Sequence, residues 1–147
     1  METNENNKSN TVVAKMVKAI SEIGAFTADK TNTSQNYEYI SADLVLERGG
    51  QALAKQGLIL IPSILDSKTE QVEYTAGSNS KKRIDAKVIF QMTLTDGESM
   101  FTESWVGCGS DFSAPDKALY KAITSGHKYF LMKILQISIG NSDSEHE

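Results

Sequence analysis

Gly107-Cys108-Gly109-Ser110-Asp111, and then Asp116-Lys117-Ala118-Leu119-Tyr120-Lys121-Ala122-Ile123-Thr124-Ser125-Gly126-His127-Lys128-Tyr129-Phe130-Leu131-Met132-Lys133, decide the fold of this chain. They read as a glycine-rich loop feeding a long helix, capped near Ser113 and with Pro115 in its first turn. At about 3.6 residues per turn, Leu119, Ala122, Ile123, Gly126, Tyr129, Phe130, Ile134 and Ile137 share one side. Lys117, Lys121, Thr124 and Lys128 share the opposite side. No Asp or Glu falls between Lys117 and Ile137. Solvated helix faces usually mix charge signs to gain pairs four residues apart, and this one does not. The basic character is also local. The chain has 15 Lys and Arg against 19 Asp and Glu, a net charge of -4. Positive charge gathered on one helix face and at Lys81-Lys82-Arg83 of an acidic chain suggests a track for a polyanion. The competing reading is a plain solvated face.

Upstream of this helix lies strand territory. Leu58 to Leu65 is apolar, and Pro62, which has no N–H for a ladder, puts that strand at an edge or breaks it there. Glu70 to Thr75 is a candidate pairing segment. Gly77 to Arg83 reads as a hairpin tip, Ile84 to Thr95 as a long strand, Asp96-Gly97 as a tight turn and Glu98 to Val106 as the returning strand. Nearer the N-terminus, Asn10 or Thr11 is expected to cap a helix to about Gly24, with Val13, Met16, Val17, Ile20 and Ile23 on its apolar face. Thr27 to Asn36 is a polar loop and Tyr37 to Ile40 is extended. Ser41 caps a second helix, stopped by Gly57. The expected class is α+β: two N-terminal helices, an antiparallel meander of three to four strands, and a long C-terminal helix packed on the sheet. Residues 1–9 are expected to be disordered, 10–139 to form one domain, and 140–147 to be an acidic flexible tail.

Two groups of motifs resemble the ERF family of phage single-strand annealing proteins. One is Asp116-Lys117-Ala118, Lys121-Ala122-Ile123-Thr124-Ser125 and Lys128-Tyr129-Phe130-Leu131, preceded by the glycine-containing, acidic loop. The other is Tyr37-Glu38-Tyr39-Ile40-Ser41, similar to the family's Y-x-Y-[VI]-S element, followed by a helix, Gly57-Leu58 and a strand with Pro62. The middle residue of that element is often Lys or Arg in the family, and here it is Glu38. The resemblance runs from about Thr11 to Ile139. It implies a β-β-β-α annealing core, single-stranded DNA as ligand, assembly into a ring or filament, and a role in phage or prophage recombination in the bacterial cytoplasm. The host single-strand binding protein is a further expected partner. The residues expected to meet DNA are Lys81, Lys82, Arg83, Lys117, Lys121, Thr124 and Lys128, with Tyr37 and Tyr39 as base-stacking candidates beside Tyr74 and Trp105.

Other function classes find little support. There is no G-x-x-x-x-G-K-[ST], and Gly49-Gly50 lies in a predicted helix. Neither His127 nor His146 has a Cys or His at metal-ligand spacing. Cys108 alone forms no internal disulfide and fits a reducing compartment. Met1 to Lys8 lacks the apolar run of a secretory signal, and no stretch of about 18 apolar residues suggests a membrane span. The expectation is therefore a binding protein without cofactor or metal. Its rivals are an oligomeric scaffold with a solvated lysine face, and a small metal-dependent nuclease using Asp111 and Asp116. For the subunit contact, the Pro62 edge and Leu131, Met132 and Leu135 are the candidates.

Overall fold

In chain order the elements are α1 (Thr3–Ile23), β1 (Lys30–Asn32), β2 (Tyr37–Tyr39), α2 (Ala42–Lys55), β3 (Ile59–Ala76), β4 (Asn79–Thr95), β5 (Met100–Asp111) and α3 (Pro115–Ile134). They come from a computed structural model that describes residues 3–137, with side chains from Thr11 onward. The acidic tail expected over 140–147 lies outside the described residues. The stretch 1–9, expected to be disordered, enters α1 at Thr3, ahead of the expected cap at Asn10 or Thr11. The class is α+β, with a three-stranded antiparallel sheet in the order β3-β4-β5 followed by the C-terminal helix. Among the described residues the chain divides into two units: 3–60 with 94–101 and 130–137, and 61–93 with 102–129.

In the first unit, α1 and α2 bury Val12, Ala19, Ile23, Val45, Ala52 and Leu53 against Phe26, Ile40, Leu58 and Leu94, together with Leu131 and Leu135 from the end of α3. The expected face of α1 is displaced in part, with Ile23 buried and Met16 and Ile20 packed against the core as expected. Val12 and Ala19 are inside, whereas Val13 and Val17 are 50% and 59% exposed. Leu131 and Leu135 are likewise not a surface for a partner subunit. A Cβ built on Gly49 of α2 would stand 3.2 Å from Leu135 Cδ1 and 3.6 Å from Leu131 Cδ1, so the missing side chain is the room those leucines occupy. Ser41 caps α2 as expected, its Oγ accepting from Leu44 N. Gly57, at φ +74°, ends the turn after α2 in the left-handed region that favours glycine.

β1 and β2 form a two-stranded hairpin, Lys30 opposite Tyr39 and Asn32 opposite Tyr37. The sequence reading missed β1. Its residues Lys-Thr-Asn carry no apolar alternation, and the polar turn chemistry around them dominates. Asn32 Oδ1 accepts from Ser34 N, Ser34 Oγ and Gln35 N, which fixes the turn.

The second unit shows where the strand reading was too short. β3 is one strand of 18 residues through Pro62, not two paired segments, and it lies at the sheet edge, where proline is tolerated. The β3–β4 turn is only Gly77-Ser78, so Lys81, Lys82 and Arg83 sit within β4 and not at a hairpin tip. Along β4, buried Ala86, Val88, Phe90 and Met92 alternate with exposed Lys87 and Gln91, the period of two that a half-covered sheet requires.

Gly107 and Gly109 are not a loop; they belong to β5, and the connection to α3 is Phe112 to Ala114. The glycines serve close approach. A Cβ on Gly107 would collide with the Ala122 carbonyl oxygen, and one on Gly109 would stand 2.5 Å from Ala122 N. From the helix side, a Cβ on Gly126 would stand 2.5 Å from Phe90 Cε2. Strand and helix therefore pack backbone to backbone along Ala118, Ala122 and Gly126, which are buried. Tyr129, expected on this face, is 51% exposed because the contact line is the four-residue row of small residues.

Candidate nucleic-acid interface

The start of α3 is organised by Asp111. Its Oδ2 accepts from Ser113 N at 3.0 Å, Ser113 Oγ at 2.9 Å and Ala114 N at 3.1 Å. Its Oδ1 accepts from Lys121 Nζ at 2.8 Å, and the same ammonium also donates to Ser110 O at 3.2 Å. Ser113, expected to cap the helix, instead gives its N–H and hydroxyl to Asp111, and Pro115 takes the first helical position. The Lys121 ammonium, with the Ser113 and Ala114 donors, holds the Asp111 carboxyl well below the usual carboxylate range. With both oxygens engaged by protein donors, Asp111 reads as a structural carboxylate. Among the described residues no group of three or more His, Cys, Asp and Glu stands close enough to hold a metal ion.

The lysine face is therefore not uniform. Lys117 and Thr124 are exposed, and Lys117 makes no ion pair or side-chain hydrogen bond among the described residues. Lys121 is paired. Lys128 is half-buried, its Nζ 5.0 Å from the centre of the Tyr129 ring.

β4 shows the same sorting of its cations. Arg83 is bound to Asp85 through Nε–Oδ1 at 2.9 Å and Nη2–Oδ2 at 3.3 Å. Asp85 also accepts from Ser110 Oγ at 2.6 Å, and these two partners, Ser110 first, lower its carboxyl pKa. Lys82 faces Glu73 at 3.8 Å with both side chains exposed, a pair of little worth in water. Lys81 is exposed and makes no such pair. The cations open to an anion in this unit thus include Lys81, Lys82 and Lys117, while Arg83 and Lys121 are held by carboxylates.

The aromatic candidates separate too. Trp105 is half-buried and its Nε1 donates to Gly126 O at 3.0 Å, tying β5 to α3. Tyr74 is half-buried under Arg83, whose guanidinium carbon lies 5.7 Å from its ring centre. Sequence reading passed over Phe112, which stands 6.4 Å from Tyr74 between ring centres at 53°. Its signal was available: a lone large apolar residue between Asp111 and Ser113 in a short polar connection.

In the first unit the Y-x-Y-[VI]-S element carries both structure and surface. Ser41 N and Oγ donate to the two oxygens of Asp29, at 2.7 and 2.6 Å, which draws the Asp29 pKa down. Ile40 is buried at 1% exposure. Tyr37 and Tyr39 project from one face of the hairpin with ring centres 6.0 Å apart at 57°, Tyr37 exposed and Tyr39 half-buried.

The ERF superfamily model matches residues 12–147. The chain belongs to the ERF superfamily. No curated protein matches it in sequence. For this ERF-superfamily protein the matched range takes in α2, the sheet and α3, together with both motif groups. Membership in this superfamily suggests a phage single-strand annealing protein. No described helix is long and apolar enough to cross a membrane.

Proposed function

We propose that this protein binds single-stranded DNA by its phosphates and anneals complementary strands without nucleotide hydrolysis, as a homo-oligomer serving phage or prophage recombination in the bacterial cytoplasm. The observation that carries the reading is the superfamily match over residues 12–147. Unneutralised Lys117 and Lys81 on a chain of net charge -4 support it. Their chemistry suits the task, because ammonium groups grip phosphate without regard to sequence and release counterions. Annealing draws its free energy from base pairing and stacking, about 1.4 kcal/mol per step in duplex DNA. The protein has only to hold backbones extended with their bases accessible, and no cofactor enters. One protomer offers a short track, so a useful length of strand requires protomers side by side in a ring or filament. The host single-strand binding protein is the proposed source of the strands.

The test mixes complementary labelled oligonucleotides with the protein in EDTA without ATP, and follows light scattering on the same sample. Annealing faster than the spontaneous rate by an assembly larger than a dimer is expected. Absence of both binding and acceleration would return the lysine face to the solvated reading. Acceleration by a monomer would remove the oligomer from the proposal.

A further inference from the structure

Phe112 is 74% exposed, and no large apolar side chain among the described residues is more so. A single exposed aromatic is ordinary. Three observations set this one apart. The turn that carries it is tied down by hydrogen bonds, the preceding Asp111 accepting from Ser113, Ala114 and Lys121. The ring leans on Tyr74, which Arg83 covers and Asp85 in turn anchors. And Tyr74, Phe112, Lys81 and Lys82 line one open cleft of about 480 Å³. Small-molecule sites occupy about 300–1,000 Å³. An exposed aromatic ring beside two exposed ammoniums is the combination that single-stranded nucleic acid meets with a base and its phosphate.

We infer that this cleft is a nucleotide subsite: one unpaired base of single-stranded DNA stacks on Phe112, and its flanking phosphate lies on Lys81 and Lys82. The inference rests on the proposed single-strand binding and adds the place and the group that reads a base face. A phosphate displaces Glu73 from Lys82 at small cost, because that pair is exposed and 3.8 Å long. Stacking is indifferent to base identity, so the subsite serves annealing of any sequence. It is also a register mark, fixing one base per protomer while its neighbours remain free to pair.

The experiment compares an intact oligonucleotide with one of equal length carrying abasic sites, titrated into the full chain and into Phe112→Ala, Phe112→Trp and Phe112→Leu. The Phe112 side chain is mostly in water, so thermal midpoints should stay together and mark the variants as folded. Phe112→Ala should bind the intact strand about tenfold more weakly and the abasic strand unchanged, with the same salt slope. Phe112→Trp should restore the difference and Phe112→Leu should not. Lys81→Ala with Lys82→Ala should instead flatten the salt slope by about 0.7, the value for one phosphate contact on a single strand. If the parent chain binds strands and Phe112→Ala keeps its preference for intact over abasic DNA, the subsite is wrong and the proposed function stands. Rescue by Leu as good as by Trp, or a fall in assembly mass with unchanged affinity, would make Phe112 a protein contact and overturn the inference. If the parent chain binds neither strand, the proposed function itself fails.

Discussion

Lys121 donates to Asp111 across 2.8 Å, and the remaining oxygen of that carboxylate closes the turn that leads into α3. The residue that completes the lysine row at sequence level is therefore also a brace between the end of β5 and the helix. A carboxylate within hydrogen-bond reach of an ammonium competes with any phosphate, and phosphate binding at Lys121 requires breaking or sharing that pair. The Asp85–Arg83 pair repeats the arrangement on β4.

Lys121→Ala is accordingly expected to lower the thermal midpoint, because Asp111 loses its charged partner. Paired with Asp111→Asn in a double-mutant cycle, the two losses should not add. Additive losses would show that the brace contributes nothing to the fold.

Lys117→Ala should behave in the opposite way. Its ammonium has no side-chain partner among the described residues, so the midpoint is expected to stay within about 0.5 kcal/mol of the parent stability. Affinity for single-stranded DNA should fall for all sequences alike, with the salt slope reduced by about 0.7. Fluorescence titrations at several salt concentrations measure both. Unchanged affinity in a folded Lys117→Ala protein would assign Lys117 to solvent.

The sequence carried the class and order of elements because β4 alternates and α2 has a capping serine and a stopping glycine, all local signals. The β5–α3 connection was misplaced for a tertiary reason. Gly107 and Gly109 look like loop residues alone, and only the backbone of Ala122 above them explains glycine inside a strand. The same holds for charge. A helical projection puts Lys117 and Lys121 on one face, but it cannot show that Asp111, ten residues before Lys121, reaches one of them and not the other. The displaced face of α1 is a subtler case, since valines at both 12 and 13 and at 17 satisfy either of two adjacent stripes.

The glycine contact gives a direct test of the packing. Gly126→Ala inserts a methyl 2.5 Å from Phe90 Cε2, whose ring is fully buried and has little room to yield. Overpacking of this kind costs about 1–3 kcal/mol. Gly107→Ala meets backbone instead of side chain and should be worse. Gly50→Ala, where no atom lies within 4 Å of the new Cβ, is the control and should be neutral or slightly stabilising. Denaturant midpoints in the order Gly50→Ala, Gly126→Ala, Gly107→Ala are expected, and equal midpoints would mean that strand and helix are not in backbone contact.

Stability should fall on acidification in two stages. Burial pushes the His127 imidazole below its ordinary value of 6.5. The unfolded chain therefore takes up that proton first, and stability declines gently as the pH drops below about 6.5. Asp29, Asp85, Asp96 and Asp111 are all depressed below 3.8, each chiefly by a side-chain partner, from Ser41, Ser110, Lys15 and Lys121 in turn. A depressed carboxyl favours the fold wherever the unfolded group is ionised, so this contribution is complete above about pH 5 and is lost as the pH falls through 3.8 toward the folded values. His127→Gln should flatten the first stage and leave the second. Asp111→Asn should be less stable at pH 7 and lose less stability between pH 5 and 3 than the parent. Urea midpoints across this range measure both stages. Parallel curves for Asp111→Asn and the parent would show that the Asp111 carboxyl titrates alike in the folded and unfolded chains, and the brace to Lys121 would then have no energetic role.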